Sequence, residues 1–332
     1  GRCCHRGRGG THVGAACRSG HHRTPRVRRN RACGNRRHHR RNTAKQVRKE
    51  HRGAGHVEHD RDEPREGSVS DPRDDVGDRH GHDDVGVAVI GPGGENLVKY
   101  ATIGSDYYRH AGRGGAGAVM GSKNLKAVAV RGTGGVQVAN PKAYRDAALE
   151  AYGMLKANPV TGEGLGALGT AVLVNVMNQH GGLPTRNAQT GTFEGAEAIS
   201  GETLASTYLK RNKSCMGCII SCGRVTKIVD NKYAGDGEGP EYETLGMMGT
   251  NLMIDDPQTV AIANEIANRL GVDTISTGAM VGFAMECFEN GLLTKADTGG
   301  LAYHWGDAGL LVRTVEMIGR REGFGDVLAE GV

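Results

Sequence analysis

Three thiols stand within eight residues at Cys215-Met-Gly-Cys218-Ile-Ile-Ser-Cys222. A C-x2-C-x3-C spacing on a tight turn can aim three sulfurs at one centre, and thiolate is the soft ligand that zinc and iron–sulfur clusters select. A lone cysteine usually fills core, but three at this density read as a metal or cluster site. The flanks Arg211-Asn-Lys213 and Gly223-Arg224 are small or basic, as an anionic cluster requires. A second candidate is Glu241-Tyr-Glu243, two carboxylates around a tyrosine in an otherwise apolar run. A buried glutamate with a raised pKa there would serve as a general acid or base. The plainer reading is an acidic pair at a helix start.

The third candidate is Ala111-Gly-Arg-Gly-Gly-Ala-Gly-Ala-Val-Met-Gly-Ser-Lys-Asn124. Gly112 to Gly117 satisfies G-x-G-x-x-G, but a dinucleotide loop needs a strand before it, a full crossover helix after it and an acid about 20 residues on. The next strand, Leu125 to Val130, follows too soon for that helix, and Arg131 to Val138 offers no acid. Two readings stay open on residues alone. One is a glycine-rich hairpin. The other is a loop whose N–H groups, with Arg113 and Lys123, hold phosphate.

The elements that must position these residues begin near Val85. Val87 to Ile90 reads as a strand closed by Gly91-Pro-Gly-Gly94, and Leu97 to Ile103 as a second strand. Pro141 opens a helix over Tyr144 to Lys156. Thr161 to Gln179 carries a helical stripe, Leu165, Leu168, Val172 and Val176, expected to face the core. A helix after Ser200-Gly-Glu-Thr203 is expected to run to Arg211, and Tyr233 to Pro240 reads as a turn. Helices then follow over Pro257 to Leu270, Ser276 to Asn290 and Ala308 to Arg321, with Cys287 beside Met280 and Phe283 on a core face.

Residues 1–84 differ from all of this. They contain no Leu, Ile, Met, Phe, Tyr or Trp, and they carry runs such as Arg36-Arg-His-His-Arg-Arg41. Such a segment cannot bury enough apolar surface to offset its ordering entropy. A basic arm for RNA is one reading, although it has no aromatic to stack on a base and turns acidic from Glu58. The preferred reading is a GC-rich gene translated out of frame. The net charge of +5 is therefore a local excess, and nucleic-acid binding is not expected of the chain. No apolar run approaches the roughly 18 residues of a membrane span, and no disulfide framework is evident. The expected location is the cytoplasm. The fold class is α+β, in three parts: the 1–84 segment, the end of a β domain over 85–140, and a mostly helical domain over 141–332.

Gly112 to Ala127 resembles the signature loop of the aldehyde ferredoxin oxidoreductase family. So do Cys215-x2-Cys218-x3-Cys222-Gly-Arg, Gly239-Pro-Glu-Tyr-Glu-Thr244 with Asn251-Leu, Asn268-Arg-Leu-Gly-Val-Asp-Thr-Ile-Ser276, and Gly323-Phe-Gly-Asp326 with Ala329-Glu-Gly-Val332. The resemblance runs from Val87 to Val332. It implies an oxygen-sensitive enzyme that oxidises aldehydes to carboxylic acids at a tungsten or molybdenum bis-pterin centre and passes electrons through a [4Fe–4S] cluster to ferredoxin, with a homodimer as a possible assembly. On it, Cys215, Cys218 and Cys222 hold the cluster. Ala111, Gly112, Arg113, Gly114 and Gly115 approach the pterin phosphates and their bridging magnesium. Asn268, Gly271, Val272, Asp273 and Thr274 line a pterin, and Glu243 is the carboxylate near the metal. Asn268 stands where some members carry Asp, and Val272 where Leu is usual. The fourth cluster cysteine and the second pterin motif are expected beyond Val332, so the chain is expected to be a central fragment, inactive alone and exposing apolar surface. Two rivals are a zinc-binding interaction module and a family offshoot acting on aromatic acyl thioesters.

Overall fold

The computed structural model describes residues 85–105, 108–131, 135–229 and 232–332. The reading of residues 1–84 lies outside them. The first described element is strand β1, Val85–Ile90, which pairs antiparallel with both β2 (Ile103–Ser105) and β4 (Ala127–Arg131). β3 (Arg109–Ala111) adds to β2, giving the order β3-β2-β1-β4. Every pairing is antiparallel, so the glycine-rich loop between β3 and β4 lies in no βαβ unit. The loop is not a hairpin either, because it feeds a seven-residue helix, α2 (Ala116–Ser122). The short helix α1, Pro92–Glu95, replaces the expected turn after β1, with Pro92 at its first position.

The expected strand over Leu97 to Ile103 forms only at its end. Val98, Tyr100, Ala101 and Thr102 are buried as an irregular segment docked on the helical part. Its backbone groups are satisfied across that contact: Thr102 N–H donates to Gly271 O at 2.8 Å, and Asp273 N–H to Tyr100 O at 3.0 Å. Long-range pairing of this kind is invisible to alternation.

Helix α3, Pro141–Ala157, forms where proline and the Asn140 cap place it, Asn140 Oδ1 accepting from Ala143 N–H at 3.0 Å. It buries no residue. The expected single helix over Thr161 to Gln179 is instead four pieces: a π turn Val160–Gly164, α4 (Leu165–Leu168), a 3₁₀ turn Gly169–Val172, and α5 (Leu173–Gln179). The break falls at Gly169, where φ is +60° and a Cβ would meet Arg224 Nε at 2.6 Å and Cys222 O at 2.7 Å. The break rotates the expected stripe off the core. Leu165, Leu168 and Val172 are half-buried and Val176 is exposed, while Ala171 and Val174 are fully buried. By length and composition alone Val160–Gln179 is apolar enough to cross a membrane. Its interspersed Gly, Ala and Thr keep each apolar run short while the average stays high.

Around the cysteines the sequence expectation was helix and turn, but the structure is a second sheet. α6 (Gly201–Thr207) stops short of Arg211, and β5 (Leu209–Lys213), β6 (Gly223–Ile228) and β7 (Gly235–Glu238) form an antiparallel ladder in that order. These strands are rich in Lys, Arg and Gly, and their side chains do not alternate. Beyond them come α7 (Tyr242–Thr244), running on through a π turn and a 3₁₀ turn to Leu252, and then α8 (Pro257–Leu270), α9 (Thr274–Glu289), α10 (Ala308–Arg320) and α11 (Phe324–Leu328). Asp256, Asp273 and Asp307 cap α8, α9 and α10. The core lies among α8, α9 and α10, with Leu245, Met248, Ile266, Leu270, Val281, Met285, Leu311 and Val315 buried. Cys287 is half-buried, and its neighbour Phe283 is exposed rather than core.

Candidate cofactor cavity and cysteine loop

α8 ends at Gly271, whose φ of +68° is the left-handed cap that glycine adopts freely. The chain then crosses to the α9 cap, Asp273, in two residues, and this corner meets the β part. Ala101 and Val272 form a β-bridge. The glycine-rich loop is seated by backbone-to-backbone contact: a Cβ on Gly115 would stand 2.1 Å from Lys99 O, and one on Gly117 2.3 Å from Thr102 O. Only glycine permits so close an approach.

Between loop and corner lies a cavity of about 150 Å³. Thr102, Arg109, His110 and Gly112 line one side, Asn268, Val272, Asp273 and Thr274 another, and Glu238, Gly239, Glu241 and Thr244 a third. The structure thus joins two stretches, Ala111–Gly115 and Asn268–Thr274, that sequence reasoning tied together only by resemblance. Arg113 Nη1 lies 3.7 Å from Asp273 Oδ2. Asp273 is also spent on its helix, accepting from Ser276 N–H at 2.8 Å and Ser276 Oγ–H at 2.6 Å. Thr244 Oγ1 and Thr274 Oγ1 are 2.8 Å apart and pin α7 to α9. Gly271 holds the corner's shape from behind the cavity wall.

Glu243 is not buried. It is exposed and absent from the cavity lining, because Tyr242–Thr244 turns Thr244 inward and Glu243 outward. The buried carboxylates of the cavity are Asp273 and Glu238, each at 6% exposure, and sequence reasoning had placed Glu238 in a turn. Burial pushes its carboxyl above the usual value, against the pull of Lys213 and Arg109. Glu241 lines the cavity and accepts a short hydrogen bond from Thr170 Oγ1. Thr102, Tyr108, Arg109, His110 and Asn264 also line the cavity without having been singled out. No motif marks them, since tertiary packing alone brings them together.

The cysteine loop connects β5 to β6. Cys215 is exposed, Cys218 and Cys222 are half-buried, and all three are free thiols. Cys218 N–H donates to Cys215 O at 3.0 Å, Gly217 and Ser221 take positive φ, and Ser214 Oγ meets Ser221 Oγ at 2.8 Å across the loop base. Among the described residues no three His, Cys, Asp or Glu side chains are gathered as a metal ion needs. The thiols share one turn, and no single-ion site is formed among them. Burial and the charge of Glu241 push the Cys222 thiol up, and Arg109 pulls it down.

Arg224, buried and two residues after Cys222, donates to Leu168 O at 2.8 Å and Pro240 O at 2.5 Å, tying the loop's exit to the cavity wall. Burial pushes its pKa below the usual arginine value, opposed by Glu241 and Glu238.

As a donor set, three free thiols with Arg109, Lys213 and Arg224 nearby fit an anionic iron–sulfur cluster. The loop fits a phosphorylated organic cofactor. Gly114, at φ +90°, is exposed with nothing within 4 Å of a built Cβ, so its backbone is accessible, and Arg113 lies next to it.

A cavity beside a glycine-rich loop and a thiol loop, on an α+β scaffold, is the arrangement expected of the cofactor-binding part of a redox enzyme. The particular family follows from comparison. A model of the aldehyde ferredoxin oxidoreductase family, domains 2 and 3, matches residues 146–332, and its N-terminal-domain model matches residues 55–132. The chain belongs to the aldehyde ferredoxin oxidoreductase family. The N-terminal match begins inside the segment read from sequence as out of frame.

The chain is 47% identical over 262 residues to a tungsten-containing aldehyde ferredoxin oxidoreductase of Pyrococcus abyssi (strain GE5 / Orsay), covering 78% of this chain and 42% of that protein. It is 34% identical over 245 residues to an aliphatic sulfonate oxidoreductase, WOR-like subunit, of Pyrococcus furiosus, covering 73% of this chain and 38% of that one. Among solved structures, the active-site complex BamBC of benzoyl coenzyme A reductase, bound to 1,5-dienoyl-CoA, superposes with a TM-score of 0.61 at 26% identity. That match covers 78% of this chain and 40% of the other. The chain thus spans about two-fifths of the length of these relatives.

Proposed function

We propose that this chain supplies the cluster loop and one pterin-binding face of an enzyme that oxidises aldehydes to carboxylic acids and passes the electrons to ferredoxin. The observation that carries this reading is the cavity where the glycine-rich loop and the Asn268–Thr274 corner meet, with Arg224 at the exit of the cysteine loop bonded to Pro240 O behind its Gly239–Glu241 wall. The 47% identity to tungsten-containing aldehyde enzymes supports aldehyde chemistry over acyl-thioester reduction, for which the matched structure is 26% identical.

A tungsten or molybdenum bis-pterin centre would supply two-electron chemistry, and a [4Fe–4S] cluster would pass those electrons on singly. Cys215, Cys218 and Cys222 would hold the cluster. Backbone N–H groups over Ala111 to Gly115, with Arg113, would face the pterin phosphates and a bridging magnesium. Asn268, Val272, Asp273 and Thr274 would orient the pterin, and Gly271 would fix the corner that presents them. Glu243 is the carboxylate that the resemblance assigns to proton transfer. It sits at the solvent side of Thr244, while Glu241 lies on the cavity wall.

The test is anaerobic expression with tungstate of the enzyme carrying this sequence. Tungsten and a fluorescent oxidised pterin should copurify, and an aldehyde should drive reduction of a viologen dye. Folded protein that carries zinc alone and no pterin would instead establish the zinc-module reading.

A further inference from the structure

One ion pair, its carboxylate buried and its guanidinium half-buried, lines the cavity and reaches the exit of the cysteine loop. Arg109, the first residue of β3, places Nη2 3.4 Å from Oε1 of Glu238, the last residue of β7. Glu238 Oε2 accepts no hydrogen bond, and Lys213 Nζ, at the end of β5, lies 4.0 Å from it. Both Arg109 and Glu238 line the cavity. On the other side the pair presses on the loop itself. A Cβ added to Gly223, the residue after Cys222, would stand 2.9 Å from Arg109 Nη2 and 2.9 Å from Glu238 Oε1.

Burying a carboxylate with one unsatisfied oxygen costs free energy that a well-packed apolar residue would not. Among the described residues no helix end or turn uses the Glu238 side chain. What the pair does have is position: a cation and an anion fixed one residue from a thiol on one side and open to a cofactor cavity on the other. Charges and hydrogen bonds beside a cluster are what set its potential.

We propose that Arg109 and Glu238 are positioning residues that hold the exit of the cysteine loop against the cavity and set the reduction potential of the cluster it carries. This rests on the cluster reading given above. Arg109 favours the reduced, more negative cluster and Glu238 disfavours it, so their removal should act with opposite sign.

The test is a redox titration, followed by electron paramagnetic resonance, of the enzyme carrying this sequence, purified anaerobically, with dithionite as reductant. Arg109→Gln should lower the midpoint potential and Glu238→Gln should raise it. Arg109→Lys should recover most of the wild-type value, and the Arg109→Gln/Glu238→Gln double variant should return towards it. A purely structural pair would move both single variants in the same direction. That outcome, or unmoved potentials at wild-type iron content, overturns the proposal and leaves the cluster reading intact. A wild-type enzyme that carries no iron and sulfide overturns the cluster reading and this proposal with it.

Discussion

Gly91 and Gly271 meet backbone to backbone, and this contact joins the β part to the helical part beneath the cavity. A Cβ on Gly271 would stand 2.8 Å from Gly91 N, and one on Gly91 2.4 Å from Leu270 O. Gly271 also holds φ at +68°. Gly271→Ala should therefore lose at least ~1–2 kcal/mol from the left-handed backbone alone, and more from the contact. Urea unfolding checks this, and a variant as stable as wild type would mean that the two parts do not pack this way.

Asp273 should matter more to the fold than its place among cofactor-lining residues suggests. Asp273→Ala removes the α9 cap and should cost about 0.5–2 kcal/mol, whereas Asp273→Asn should retain most of that stability. Both variants lose the charge that faces Arg113, so cofactor retention should fall in both. Equal stability of Asp273→Ala and wild type would contradict the capping geometry.

The pH dependence of stability should carry the signature of Glu238. Burial raises its folded pKa above the ordinary 4.5. Above 4.5 the folded chain then binds more protons than the unfolded chain, so this group's contribution to stability falls as pH rises. Glu238→Gln should remove that slope. The urea midpoint of the variant relative to wild type should climb as pH rises above 4.5. Parallel curves would show that Glu238 ionises normally in the fold.

Helix α3 should bind hydrophobic dye. It buries no residue, and Tyr144, Leu149, Tyr152 and Met154 are exposed along it. Replacing Leu149 and Met154 with Glu should reduce dye fluorescence without changing the unfolding midpoint by more than about 0.5 kcal/mol equivalent. Unchanged dye binding would place the apolar surface elsewhere.

The helical frame was legible because its signals are local. Pro141 and Asn140 mark α3, Pro257 and Asp256 mark α8, and Asp307 marks α10. The sheet that carries the cysteine loop was not, because Leu209–Lys213 and Gly235–Glu238 show neither alternation nor β-branched residues and become strands only by pairing with β6. Gly169 hid the break in Val160–Gln179 in the same way, since it accommodates Arg224 and Cys222 from far along the chain. Of the site, the cysteines and the glycine loop stood out by spacing. Arg109, Glu238 and Asn264 did not, because nothing in sequence connects a β3 residue to the end of β7 or the middle of α8.

The cysteine loop as a cluster site is the central claim, and anaerobic reconstitution with iron and sulfide tests it most directly. The account predicts a brown protein with broad absorbance near about 400 nm that bleaches on reduction, and loss of that band in Cys218→Ser and Cys222→Ser. A colourless chain that takes up zinc in preference, or a band indifferent to both substitutions, would contradict it.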